Sequence, residues 1–197
     1  SHCKHIVYGI LYGMGIGKLA KDLNTTYDNA KKLKKEFKDR YPGVKRFLHR
    51  VITECKDCAY VETLLGRRRY LRNIYASNES DKQQAKRQAI NTLCQGSAAD
   101  IVKKAMINVM KRFNALKLKT RLLLQIHDEL VFEVPNEEMS IAIVEIKREM
   151  ERVVSLRVPL PVKIETGVSW GSLIPTVVDT PENRLSQSPI KQFSKWI

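Results

Sequence analysis

No stretch of this 197-residue sequence approaches the roughly 20 consecutive apolar residues that a membrane-spanning helix needs. The first residues, Ser1 to Tyr12, lack the layout of a secretory signal and there is no initiator Met, so the chain is expected to be a piece of something longer. Cysteine is scarce: Cys3, Cys55, Cys58 and Cys94 are irregularly placed. The CxxC formed by Cys55 and Cys58 has no second pair to complete a zinc site, and reduced thiols in an intracellular compartment are expected instead. Acidic residues are in deficit, 21 against 35 Lys and Arg, which leaves a net charge of +14 and a pI near 9.7. Such a field attracts polyanions, nucleic acid being the usual one, although a basic protein with no specific partner carries the same charge. An anionic membrane is the weaker rival, because the basic residues are interleaved with core positions and form no single amphipathic anchor. Apolar residues are not lacking: at 43% they suffice for a folded core.

Read along the chain, Lys4 to Lys21 mixes helical apolar spacing with Gly13, Gly15 and Gly17. Lys18 stands where a phosphate-cradling GxGxxG needs its third glycine, so a helix ending in a turn explains the cluster equally well. Asp28 is expected to cap a helix with Ala30, Leu33 and Phe37 inside and Lys31, Lys32, Lys34, Lys35 and Lys38 on a solvated outer face. Tyr41-Pro42-Gly43 breaks it, and Val44, Phe47, Leu48, Val51, Ile52 and Cys55 line a second helix. Val61 to Leu65 reads as a short strand ended by Gly66, followed by Arg67-Arg68-Arg69. A long helical region from Gln83 to Leu116, started by Asp81 or its neighbours, is interrupted at Gln95-Gly96-Ser97. Arg121 to Ile126 and Leu130 to Val134 predict a β-hairpin with acids at its tip. Glu137 to Val154 predicts an amphipathic helix with Ile143, Ile146, Met150 and Val153 inward. Val162, Ile164, Thr166 and Val168 alternate as a last strand, and the Ser- and Pro-rich stretch from Thr176 to Ile197 predicts a disordered tail. The order implies an α+β fold: a helical lobe feeding a lobe with an antiparallel sheet.

Three constellations carry chemistry. Lys4, Tyr8 and Tyr12 recur at i, i+4 and i+8, so a helix would put a cation and two rings on one stripe, suited to the phosphates and base of a nucleotide. A half-buried helix that happens to carry tyrosines has the same spacing. His127-Asp128-Glu129 at a hairpin tip offers hard carboxylate oxygens for Mg2+, though acids are also ordinary turn residues. Arg87, Asn91 and Gln95 form another i, i+4, i+8 stripe of long polar side chains able to reach phosphates and base edges, or simply an exposed polar face.

Taken in order, these segments resemble the DNA polymerases of family A. Lys4-x3-Tyr8-Gly9-x2-Tyr12-Gly13 resembles motif B of that family, and Leu65 to Tyr70 resembles the arginine-rich segment of its fingers. Arg87 to Asn91 through Gln95-Gly96-Ser97-Ala98-Ala99-Asp100 resembles the next block. Gln125 to Leu130 is similar to motif C, and Ser169-Trp170-Gly171 to the end of the palm. The resemblance covers Cys3 to about Pro175, and within the family it points to the metazoan theta and nu branches.

The resemblance implies a fingers subdomain over residues 1–116, the C-terminal part of the palm with the motif C hairpin over 117–175, and the tail over 176–197. It implies that Lys4 holds the triphosphate of an incoming dNTP, that Tyr8 packs on its base and sugar, and that Tyr12 stacks near the template base. Arg67 and Arg68 would touch the nucleic-acid backbone, and Arg87, Asn91, Gln95 and His127 would support primer-template DNA near the growing end. Asp128 would bind metal with Glu129 assisting, in a two-Mg2+ scheme with ions about 4 Å apart. A tyrosine at position 8 implies easy acceptance of dideoxynucleotides.

Motif A, with the other metal-binding aspartate, and the thumb are not in this sequence, so the chain alone is expected to be inactive. Nothing in it resembles a proofreading exonuclease or a helicase. In the tail, Gln187, Ile190 and Phe193 fit most of the Q-x-x-I-x-x-F pattern of sliding-clamp ligands, with Ser194 where a second aromatic is usual. A non-catalytic nucleic-acid-binding module derived from a polymerase is the competing reading, and a small hydrolase using His127, Asp128 and Glu129 lacks a second ligand cluster. Eukaryotic relatives imply the nucleus and DNA repair.

Overall fold

The computed structural model describes residues 2–176, with side chains from Ile6 onward. The expectations placed on the Lys4 side chain and on Gln187, Ile190 and Phe193 therefore lie outside the described residues. The α+β organisation is as expected: α-helices and three two-stranded antiparallel ladders. The chain forms two compact units that divide after Asp100.

The first unit opens with α1 (His2–Leu11) and α2 (Ile16–Asp22), separated by a turn in which Gly13 has φ +76°. Next comes α3 (Tyr27–Arg40), whose cap is Thr26 and not Asp28. Thr26 has the extended backbone a cap requires and its Oγ1 accepts from the Asn29 amide at 3.3 Å, while Asp28 sits inside the first turn. Ala30 is fully buried with Ile10, Leu19 and Ala20, but Leu33, expected inside, is 36% exposed. Lys34 departs from the solvated face assigned to it. Its Nζ donates to the Met14 carbonyl at 2.5 Å, clipping α3 to the turn after α1, and desolvation lowers its pKa.

Pro42 occupies the first turn of α4 (Pro42–Cys58), where a missing amide costs nothing, and the helix ends on Ala59 in the left-handed region. Val51 and Cys55 of α4 form a second core with Val61, Leu71, Ile74, Ala85, Ala89 and Ile90. Each large aliphatic side chain buried there contributes roughly 1.5–3 kcal/mol. Burial also pushes the Cys55 thiol pKa up, so half of the CxxC is core, and the exposed Cys58 thiol turns back to the Glu54 carbonyl at 3.0 Å.

The expected strand from Val61 to Leu65 is shorter and has a partner the periodicity did not reveal. β1 (Tyr60–Glu62) pairs with β2 (Arg68–Tyr70), placing Tyr60 opposite Tyr70, with Gly66 at φ +88° in the turn. All three β2 residues are exposed, so they carry no alternation to read. After a 3-10 turn (Arg72–Tyr75), α5 (Glu79–Asn91) starts among the neighbours of Asp81, capped by Asn78, whose side chain accepts from the Ser80 amide. The expected interruption at Gln95-Gly96-Ser97 takes the form of a change of helix type and not of a loop. A π-helical turn (Thr92–Gly96) leads straight into α6 (Ser97–Ala115).

In the second unit, β3 (Arg121–Ile126) and β4 (Glu129–Glu133) form the predicted hairpin, with an irregular register between Leu122 and Leu124. A 3-10 turn (Asn136–Glu138) enters α7 (Met139–Glu151). The core is Val109 and Phe113 of α6 against Ala142 and Ile146 of α7, with the Phe132 ring edge-on to Phe113 at 5.9 Å. Ile146 and Val153 are buried as expected, Ile143 and Met150 only in part. The last predicted strand shrinks to β5 (Ile164–Thr166), and Val168 is fully exposed. Its partner β6 (Ile174–Thr176) takes in Thr176, expected to open the tail, whose Oγ1 lies 2.8 Å from that of Thr166.

Candidate nucleotide and nucleic-acid interface

In the first unit the tyrosine stripe exists. Tyr8 lies on α1, and the Tyr12 amide donates to its carbonyl at 2.8 Å, which carries helical geometry one step past the helix end. Their rings are 6.2 Å apart and tilted by 34°. Tyr8 is half exposed, while Tyr12 packs against the second core. Burial first, then the neighbouring Cys94 and Tyr8, raises the Tyr12 pKa, so its hydroxyl is a donor at neutral pH. The pair thus offers an exposed ring on a fixed one, the arrangement a stacking platform needs.

The arginines of the β1–β2 hairpin are held, not loose. Arg67 Nε donates to Asp100 Oδ1 at 2.8 Å, and Arg68 Nε to Glu62 Oε2 at 2.8 Å while its guanidinium lies 4.7 Å from the Tyr60 ring centre. The hydrogen bond to Glu62 raises the Arg68 pKa further, so its charge is fixed. Arg69 Nη1 reaches Thr92 Oγ1 at 3.1 Å, the Leu64 amide donates to Ser97 Oγ at 2.8 Å, and Thr63 approaches Gly96 so closely that a Cβ there would stand 2.9 Å from Thr63 Cγ2. The hairpin is therefore strapped across the π-helical turn.

That turn contains Gln95, the last residue of the polar stripe. Arg87 and Gln95 are exposed, and Asn91 is half-buried with its Oδ1 enclosed and met by no hydrogen-bond donor among the described residues. An enclosed amide oxygen without a donor costs about 1–3 kcal/mol, so Asn91 holds an acceptor in reserve. π-helical turns interrupt regular helix at functional sites more often than elsewhere.

In the second unit His127 and Asp128 form the two-residue turn between Ile126 and Glu129, with His127 at φ +56°. The Gln125 side-chain amide donates to the His127 carbonyl at 3.2 Å. His127, Asp128 and Glu129 are all exposed. The other end of the hairpin is fixed by Glu138, whose carboxylate accepts from the Lys119 and Thr120 amides at 2.7 and 2.9 Å and from Thr120 Oγ1 at 2.7 Å. Those bonds, the Lys119 amide first, hold its pKa below the ordinary range. Asp128 and Glu129 supply hard oxygens of the kind Mg2+ takes. Among the described residues there is no group of three or more His, Cys, Asp or Glu that could hold a metal.

Sequence reasoning missed Thr63 and Asp100 in the first unit and Glu138 in the second. For Asp100 the available signal was a carboxylate in an otherwise apolar stretch, and for Glu138 a carboxylate at a helix entrance; nothing local pointed to Thr63.

A family model described as DNA polymerase family A matches residues 1–172. DNA polymerase I of Bacillus caldotenax is 44% identical over 167 residues, 85% of this chain and 19% of the relative. DNA polymerase theta of Drosophila melanogaster is 40% identical over 175 residues, 85% of this chain and 8% of the relative. Among solved structures, the POL domain of Pol1 from M. smegmatis, in complex with DNA primer-template and dNTP, superimposes with a TM-score of 0.78 at 39% identity, covering 81% of this chain and 28% of that one. The chain thus spans less than a fifth of the length of these curated relatives.

Proposed function

The chain belongs to DNA polymerase family A, and on that premise we propose that it is the fingers and C-terminal palm of a DNA-directed DNA polymerase, adding dNTPs to a primer 3′-hydroxyl. The observation that carries this reading is the hairpin tip. Asp128 in the two-residue turn and Glu129 at the start of β4 stand exposed on a hairpin whose other end is anchored through Glu138, an arrangement that can present both carboxylates to a metal.

Asp128 would hold Mg2+, with Glu129 beside it. Bound Mg2+ supplies a more acidic attacking hydroxyl and neutralises charge on the departing pyrophosphate. Tyr8 packs on the incoming nucleotide and Tyr12, fixed by the core, stacks near the template base; Lys4 binds the triphosphate. Arg67, Arg68, Arg87, Gln95 and His127 hold the primer-template, and Asn91 offers its reserved acceptor to a base or sugar donor. The second metal-binding aspartate lies outside this chain, so the chain alone does not extend a primer. We further place the protein in the nucleus, in DNA repair, with a sliding-clamp contact through Gln187, Ile190 and Phe193; a tail peptide that binds clamp and loses binding on Phe193→Ala would support it.

The test is primer extension in Mg2+ by a protein joining this chain to an upstream thumb and first aspartate. Template-directed extension that Asp128→Ala abolishes is expected. DNA binding without extension in the unsubstituted protein would overturn the enzymatic reading in favour of a binding module.

A further inference from the structure

Asp100 is 6% exposed. Burying a carboxylate costs several kcal/mol unless its oxygens are met by donors, so its partners reveal what it is kept for. Thr63 Oγ1 donates to Oδ2 at 2.7 Å and Arg67 Nε donates to Oδ1 at 2.8 Å. The Thr63 hydroxyl in turn accepts from the Arg67 amide at 3.0 Å. Backbone and side chain of Arg67 are thus both tied, through one hydroxyl and one carboxylate, to the first turn of α6.

The pairing is lopsided. Asp100 is buried, yet the Arg67 side chain is 62% exposed. The bond runs through Nε, and no hydrogen bond among the described residues engages Nη1 or Nη2 of Arg67. A guanidinium gripped at Nε keeps its planar terminal fork available, and that fork matches the paired oxygens of a phosphate. Arg68 differs, since its Glu62 partner is 44% exposed and the pair lies on the surface.

We propose that Asp100, together with Thr63, is a positioning residue that locks the Arg67 guanidinium with its fork outward to receive a phosphodiester of bound DNA. This rests on the reading of the first unit as a DNA-backbone surface.

The test exploits opposite signs. Removing a negative charge from a polyanion-binding surface by itself strengthens binding, whereas losing the lock weakens it. Binding of a fluorescein-labelled primer-template is followed by anisotropy across a salt series. Asp100→Asn is expected to weaken binding about five- to tenfold, the scale of one net hydrogen bond. The slope of log affinity against log salt falls by about one phosphate contact, roughly 0.9. Arg67→Gln lowers the slope equally, and the double variant lowers it no further. Thr63→Val weakens binding and Thr63→Ser preserves it, which keeps the question answerable if Asp100→Asn does not fold. Tighter or unchanged binding by Asp100→Asn, an unchanged slope for Arg67→Gln, or equal behaviour of Thr63→Val and Thr63→Ser would each overturn the proposal. Absence of DNA binding by the unsubstituted protein would instead sink the reading beneath it.

Discussion

Arg87 lies across Gly13 so closely that a methyl group on Gly13 would meet the arginine Cγ at 3.0 Å. Two segments more than seventy positions apart are fitted together there. The stem of an arginine assigned to DNA rests on the turn that follows the tyrosine-bearing helix. Gly13 is needed twice over, since its φ of +76° is a conformation that side chains resist.

Gly13→Ala is accordingly expected to destabilise the protein by about 1–2 kcal/mol. Chemical denaturation measures it. Part of the loss is relieved by Arg87→Ala in the same chain, because only the contact and not the backbone strain is removed. A neutral Gly13→Ala would show that the turn yields freely.

Ala59 offers the reverse case. It ends α4 at φ +59°, and its amide donates to the Cys55 carbonyl at 2.9 Å. Ala59→Gly keeps that bond and removes the strain, so it raises stability by about 1 kcal/mol. The denaturation midpoint should shift upward with an unchanged slope.

Glu145 is expected to contribute to acid stability in the second unit. It is 8% exposed and takes a forked pair of bonds from Arg112, Nε at 2.9 Å and Nη2 at 3.2 Å, with Arg148 Nη2 at 2.5 Å. The Arg112 hydrogen bond is the main cause of its lowered pKa, with Arg148 adding to it against the cost of burial. A carboxylate with a depressed folded pKa stabilises the fold above its ordinary value of 4.5 and loses that contribution as pH falls through the lower folded value. Glu145→Gln should therefore cost about 2 kcal/mol at neutral pH. Its melting temperature should converge on that of the unsubstituted protein below the ordinary carboxylate range. A constant gap across pH would exclude this origin.

His127 is a further strained position, left-handed at φ +56° in the hairpin tip. His127→Gly is expected to stabilise the hairpin by about 1 kcal/mol while weakening primer-template binding. Thermal melting and anisotropy separate the two effects. Stabilisation without loss of affinity would mean that the imidazole is not a DNA contact.

Much of this protein was determined by sequence alone, because it depends on neighbours a few residues away. The 3.6-residue apolar spacing of Val51 and Cys55 placed α4, the two apolar runs around His127-Asp128-Glu129 placed the β3–β4 hairpin, and the order of motifs gave the family. Local signals also misled where two candidates stood within one turn. Thr26, not Asp28, caps α3 because it takes extended backbone at the helix entrance, and among the neighbours of Asp81 it is Asn78 that does so for α5. Short exposed strands such as Arg68–Tyr70 carry no alternation and were invisible. Only tertiary structure decided that Gln95-Gly96-Ser97 continues a helix through a π turn, that Lys34 folds back on Met14, and that Asp100 grips Arg67 across 33 residues. Such pairings are fixed by burial and loop closure, which depend on where distant segments meet and leave no periodic trace in the chain.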